Sequence, residues 1–293
     1  MNSLETTMGR PDLPQLDDVD FGPTRDALHE YSRVLGDWLK SSRPKRKHWW
    51  HASLRPALAG LTSGVIHADP DFELTLNLRQ SQFCVQTSTG EEFRTLLQGQ
   101  PANEIARLVS DFLLGNGLAQ HYLPDSASHS SANAHTGYSA EHAYNLAIVL
   151  NFVSAAMEEF RAGIHEETSP IQLWPHHFDL STVWLPGEKI PGQDPLDEEY
   201  SDKQMNFGFT FGDGGIPEPY FYITAYPFPD AFPGLDLPAG TSWQSDSFSG
   251  AVLTYKTLLE SNDPKGYLLD LWNTLLSAGC EHMLRAADEG AGQ

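Results

Sequence analysis

The chain has 293 residues, 40% hydrophobic and 11% aromatic, enough to bury a substantial core in one large domain or two ordinary ones. Its 39 acidic against 18 basic residues give a formal charge of −21, which repels phosphate backbones and argues against nucleic acid as a general partner. Two cysteines, Cys84 and Cys280, make neither a disulfide framework nor a metal motif, and no window approaches the ~18 consecutive apolar residues of a membrane span.

Residues 1–22 are acidic and proline-containing and read as a loose arm. The arm lacks the basic-then-apolar pattern of a secretion signal, so the expected location is the cytoplasm. From Thr24 to Ser41 the apolar positions Leu28, Tyr31, Val34, Leu35, Trp38 and Leu39 follow helical spacing. The basic cluster Arg43-Pro44-Lys45-Arg46-Lys47 is either a solvated turn or a dock for a phosphate or carboxylate group beside Trp49 and Trp50. Trp49 to Ala59 reads as extended and Gly60 to Asp69 as loop. Phe72 to Leu78 alternates with period two and is a strand, with Gln82 to Thr87 its hairpin partner. Pro101 opens a helix that carries Ile105, Leu108, Val109, Phe112 and Leu113 on one face and ends at Gly115 and Gly117.

Residues 123–138 are rich in Ser, Ala and His and read as a linker, with His129 and His135 solvated. A long helix runs from Ser139 to about Gly163. Ile171 to Leu185 is extended, and Pro186 to Ser201 is an acidic, proline-rich excursion. Asn206 to Phe211 and Tyr220 to Tyr226 are strands joined by a turn at Gly212-Asp213-Gly214-Gly215. Pro227 to Trp243 reads as loop, Ala251 to Glu260 as helix, and Gly266 to Ala287 as a final amphipathic helix. The expected fold is therefore α+β. Two helix–strand–strand–strand–helix units, residues 23–122 and 139–287, pack as one globular body with antiparallel sheet, followed by a tail at 288–293.

The two units share a signature. Placing His51 of Trp49-Trp50-His51-Ala52-Ser53-Leu54 over His177 of Trp174-Pro175-His176-His177-Phe178-Asp179-Leu180 sets Ser53 over Asp179 and Leu54 over Leu180. A duplication paired about a pseudo-twofold axis would gather these side chains in one cleft. Strand residues two apart share a face, which groups His51, Ser53 and Arg55 on one strand and His177 and Asp179 on the other. Polar groups at such positions carry a desolvation penalty unless they meet partners or a water-filled pocket.

At the hairpin tip, Asp213 and Glu218 are carboxylates in a glycine- and proline-rich loop. His51, His177, Asp179 and Glu218 are the candidate acid–base residues. The same four make a chemically reasonable ligand set for a divalent metal, without any metal-binding sequence motif. Trp50, Ser53, Arg55, Trp174, Asp213, Tyr220 and Tyr222 are the candidate ligand contacts, aromatic walls with a few polar anchors. The bland alternatives are a buried hydrogen-bonded network at the His/Asp group and aromatic residues that simply fill the core. No nucleophile elbow, phosphate loop or dinucleotide fingerprint is present.

The segments Trp50-His51-Ala52-Ser53-Leu54 with Gly60-Leu61-Thr62, Ser169-Pro170 through His176-His177-Phe178-Asp179-Leu180, and Gly215-Ile216-Pro217-Glu218-Pro219 resemble a bacterial family known only as a domain of unknown function. The resemblance spans Leu28 to Ala278. It implies no mechanism, because the family has no established activity. Some of its members carry small residues in place of His176 and His177, which shifts the weight from His177 to Asp179, His51 and Glu218.

Composition, pattern and resemblance together point to a soluble protein with a small-molecule pocket between its halves. Its chemistry would be hydrolysis or proton transfer, metal-assisted or not. The competing expectation is a non-catalytic binding or interaction protein whose His/Asp cluster is structural.

Overall fold

The apolar stripe of the first helix determines how the N-terminal part assembles. Helix α1 (Phe21–Ser42) buries Leu28, Tyr31, Leu35, Trp38 and Leu39, the side expected from their spacing. That stripe packs on strands β2 (Gly60–Ile66) and β3 (Phe72–Asn77), with Trp38 edge-on to Phe72 at 5.5 Å between ring centroids. Together with β1 (Arg55–Ala57), β4 (Gln82–Thr87) and β5 (Glu92–Leu96) these strands form a five-stranded antiparallel meander in the order β1-β2-β3-β4-β5. Helix α2 (Ala102–Gly115) packs on α1 and β5. The structure, a computed structural model, describes residues 12–16, 20–125, 131–197, 199–246 and 248–284.

A second, larger sheet follows helix α3 (Ala140–Ala162). Its strands are β6 (Glu167–Thr168), β7 (Gln172–Trp174), β8 (Asp179–Leu185), β9 (Gln204–Thr210), β10 (Tyr220–Tyr226), β11 (Thr241–Gln244) and β12 (Gly250–Thr254). All pair antiparallel, in the order β11-β12-β10-β9-β8-β6, with β7 also on β8. Helices α4 (Tyr255–Glu260) and α5 (Pro264–Leu284) close the chain. Alternation splits this sheet into two unlike faces. Trp184, Phe207, Phe209, Phe221 and Leu253 point inward, where α3 and α5 cover them. Phe160 of α3 lies 4.7 Å from Phe207 and 5.4 Å from Trp272 of α5, ring to ring. Burial of such aromatic surface is the main force holding the layers together. Among the described residues no α-helix packs on the other face, which forms the floor of the site below.

The two sheets meet at one point. Leu54 and Leu173 exchange paired backbone hydrogen bonds, each 2.9 Å long. Around them the apolar residues merge into one continuous core.

The α+β, antiparallel expectation is borne out. The strand count of the units is corrected, since the sheets have five and seven strands in different orders. Trp49 to Ala59 is not one extended run. Lys47–Ala52 coils as 3₁₀ turns, with His48 and Trp49 both at positive φ, and only Arg55–Ala57 is strand. Gly60 to Asp69, expected as loop, contains β2; its register slips between Thr62 and Val65, which spoils the alternation. Residues 251–254, expected as the start of a helix, belong to strand β12, and β11 begins inside an expected loop. Within the expected arm, Leu16 is buried and the Pro14 carbonyl accepts a hydrogen bond from the Tyr255 hydroxyl. His135, expected in solvent, holds Glu30 at 3.0 Å. The rest of the arm, His129 with the middle of the linker, and residues beyond 284 lie outside the described residues. No helix among the described residues is long and apolar enough to cross a membrane.

Ser139 caps α3, its side-chain oxygen accepting from the His142 N–H at 3.3 Å. Ser139→Ala is expected to cost about 1 kcal/mol in urea unfolding, whereas Ser139→Asp should cost little because aspartate caps equally well.

Candidate ligand-binding cleft

The helix-free face of the large sheet is polar because its alternation demands it. Asp179, Ser181 and Val183 on β8, Gln204, Asn206, Gly208 and Thr210 on β9, and Tyr220, Tyr222 and Thr224 on β10 all point to that side. Register sets them in rungs: Asp179, Thr210 and Tyr220 lie side by side, and Ser181, Gly208 and Tyr222 form the next row. Gly208 is the key to the second row. A Cβ there would stand 2.0 Å from Cζ of Tyr222, so the tyrosine ring lies flat across the bare glycine backbone. Lying so, it reaches diagonally to β8.

Its hydroxyl donates a short hydrogen bond to Oδ2 of Asp179. Ser181 shares the row of Tyr222, and Trp174 Nε1–H donates to Ser181 Oγ at 2.9 Å. Trp174, Ser181 and Tyr222 thus gather beside one carboxyl group. Asp179 is only 7% exposed, and its Oδ1 is buried with no donor from any other described residue. Burial pushes its pKa up, and the Tyr222 hydrogen bond and His177 oppose that only in part. The Tyr222 hydroxyl is pushed well up by burial and by the facing carboxylate, so it remains a donor.

Asp179 is delivered to this place by a strained turn. Residues 175–178 join β7 to β8, with the His177 and Phe178 N–H groups both returning to the Trp174 carbonyl. Phe178 adopts φ +57°, a left-handed conformation unusual for a side chain of that size. Its ring is anchored against His29 at 5.4 Å and Phe211 at 5.3 Å. The strain is held by core packing next to a carboxyl whose proton affinity burial raises.

Two adjoining cavities cover this floor, of about 240 and 400 Å³, and they share His177, Asp179, Tyr222 and Thr224. Tyr220 and Phe248 wall the first; Trp49, Trp174 and Tyr200 wall the second. The excursion after β8 roofs one end. Asp202 holds both Lys47 and Lys189, which keep its carboxyl at about 2 against the opposing effect of burial, and Glu199 accepts from Trp49 Nε1 at 3.0 Å.

A model of the family of unknown function DUF5996 matches residues 13–287. The chain belongs to that family. Neither a curated protein nor a solved structure matches it. The expected membership of a domain-of-unknown-function family is thus borne out.

In this DUF5996 chain the residues singled out by pattern separate into two groups. His177, Asp179, Trp174, Asp213, Tyr220 and Tyr222 line the cleft. Asp213 accepts from the Tyr220 hydroxyl at 2.6 Å and from the Gly215 and Ile216 N–H groups, which together outweigh burial and lower its pKa. Gly212, at φ +97°, brings the backbone within reach of Pro217, where a Cβ would stand 2.2 Å from the Pro217 carbonyl oxygen.

The other group lies elsewhere. His51 is buried in the 3₁₀ segment, accepts from the Arg46 N–H at Nδ1 and stacks on Trp49; it does not line the cleft. Ser53 donates to Gln172 Oε1 at 2.7 Å and secures the junction of the sheets. Arg55 borders a separate cavity between β1 and α3, Trp50 packs on His48, and Glu218 is half-exposed and lines neither cleft cavity. The expected pairing of His51 with His177 across a pseudo-twofold axis is therefore corrected: the strands that meet do so through Leu54 and Leu173.

The metal set is corrected too. His51 and Glu218 stand apart from His177 and Asp179, and no group of three or more His, Cys, Asp or Glu side chains among the described residues is placed to hold a metal. The basic cluster is spent internally: Arg43 donates to the Ser63 and Val65 carbonyls, Lys45 sits over the Trp49 ring and Lys47 pairs with Asp202. Burial raises the pKa of both half-buried cysteines, Cys84 and Cys280, which makes them poor nucleophiles. Ser181, Thr210 and Thr224 were absent from the expected site. The signal that would have found them is the alternation that found Asp179 and Tyr222.

Proposed function

We propose that this protein binds a small molecule in the cleft on the open face of its large sheet, with Asp179 as polar anchor and Trp174, Tyr222 and Phe248 as walls. One observation carries the reading: Asp179, a buried carboxyl group with one oxygen lacking a donor from another described residue, lines both cavities of the cleft. An orphan charged acceptor is costly, by about 1–3 kcal/mol or more, and a site that binds a donor relieves the cost on binding. A few convergent polar groups among aromatic walls is the usual make-up of a ligand site. A catalytic version of the same reading places His177 and Asp179 as the proton-transfer pair. It is favoured by the raised proton affinity of Asp179 beside an imidazole.

The test is a fragment screen followed through the indole N–H resonances, with Trp174 assigned by Trp174→Phe. Binders are expected to move the Trp174 signal and to lose affinity in Asp179→Asn. Binders that cluster instead at the cavity beside Arg55, with Trp174 unmoved, would contradict the reading.

A further inference from the structure

From the chemistry of the cleft we infer the class of its ligand: an organic cation that carries N–H donors, such as a primary ammonium, on a small flat or apolar body, with an N–H donating to the Asp179 carboxyl group. The inference rests on the ligand-binding reading above and adds the ligand's charge and hydrogen-bonding pattern. Three independent features select this class.

The first is charge. Among the described residues lining the two cavities there is no Lys or Arg, while Asp179, Asp213 and Glu199 line them. Three histidines, His48, His176 and His177, also line them, and burial lowers the proton affinity of His48 and His176. Lys47 and Lys189 are committed to Asp202. A carboxylate or phosphate ligand would meet three carboxylates and no fixed cation, and the chain's overall charge of −21 adds to that.

The second is the acceptor. Asp179 lines both cavities, accepts from the Tyr222 hydroxyl at Oδ2, and has no donor from another described residue at Oδ1, which leaves lone pairs for a ligand. A quaternary ammonium has no N–H to offer it, whereas a cation with N–H groups supplies a charge-assisted donor.

The third is the wall. Trp174, Tyr200 and Tyr222 line the larger cavity together with Asp179, and aromatic faces attract cations while excluding water. That cavity, of about 400 Å³, has room for a body of one ring beside the Trp174 indole.

The experiment compares four probes of one shape by isothermal titration and by the Trp174 indole N–H shift: benzylamine, benzyltrimethylammonium, benzyl alcohol and benzoate. Benzylamine is expected to bind with Kd at or below about 1 mM and at least tenfold more tightly than each of the others. Asp179→Asn, checked for folding by circular dichroism, should remove that preference. Benzoate, benzyl alcohol or the quaternary probe binding as tightly as benzylamine at Trp174 would overturn the ammonium assignment and leave the cleft as a ligand site. Failure of all four to move Trp174 at millimolar concentration would overturn both.

Discussion

Gly208→Ala is expected to destabilise the protein by about 2–4 kcal/mol and to weaken ligand binding at the cleft, although alanine is the smallest change a glycine permits. The reason is local. The new methyl would start 2.0 Å from Cζ and 2.4 Å from the hydroxyl oxygen of Tyr222, far inside van der Waals contact. The ring must swing off the sheet, and with it goes the hydrogen bond to Asp179 Oδ2. The carboxyl then has both oxygens without a neighbouring donor. A double-mutant cycle separates this from a generic effect of alanine in a strand. In a Tyr222→Ala background the clash partner is gone, so Gly208→Ala should cost well under 1 kcal/mol or become favourable, because alanine restricts the unfolded chain. Urea unfolding of the four proteins of the cycle is the measurement, and additive costs would show that the two residues do not share one space.

The second large effect concerns pH. Burial raises the pKa of Asp179 above its ordinary value of 3.8, against the Tyr222 hydrogen bond and the neighbouring His177 and with some help from Asp213. A carboxyl with higher proton affinity in the folded state than in the unfolded one makes folding less favourable as pH rises. The loss begins near the unfolded value of 3.8 and is complete once the pH exceeds the folded one. Each tenfold difference in proton affinity is worth about 1.4 kcal/mol. Asp179→Asn removes the titrating group while keeping its shape. The variant should therefore gain stability relative to the parent as pH rises above about 4, whatever fixed cost the amide carries. Thermal unfolding of both proteins across that range provides the difference. A flat difference, or one that favours the parent at high pH, would mean the carboxyl is not held against its charge.

Such a group has a functional logic. Proteins rarely keep a buried acceptor without donors unless the site uses it. Here it accepts from the Tyr222 hydroxyl, and it follows a phenylalanine in a left-handed conformation. Both features concentrate at one end of β8, and both are held in place by core packing on the opposite face of the sheet.

Much of the frame could be read from the sequence, because period is a strong signal where one face is buried. The stripe of α1 and the alternation of β3, β9 and β10 come from residues that meet the core on one side only. The failures have identifiable causes. β2 carries a register slip between Thr62 and Val65, which breaks its period; β5 is an edge strand that alternates in burial but exposes Leu96, so its hydropathy does not show the alternation. The Ala251-Val252-Leu253 run is buried throughout, and a short continuous apolar run does not distinguish strand from helix.

The site was half legible. Alternation placed Asp179 and Tyr222 on polar positions of their strands, but only the register through Gly208 brings them together, and register is not written in either strand alone. The likeness of the His51 and His177 segments misled for the complementary reason. Similar letters fold there into a 3₁₀ segment and a hairpin turn, with different partners.

The account stands most directly on the state of one carboxyl group. A carbon-13 NMR titration of the aspartate side chains, with Asp179 identified by its absence in Asp179→Asn, should give this residue a midpoint above 3.8, and Tyr222→Phe should move it higher still by removing the hydroxyl that favours the charged form. A midpoint at or below 3.8, unmoved by Tyr222→Phe, would contradict the account.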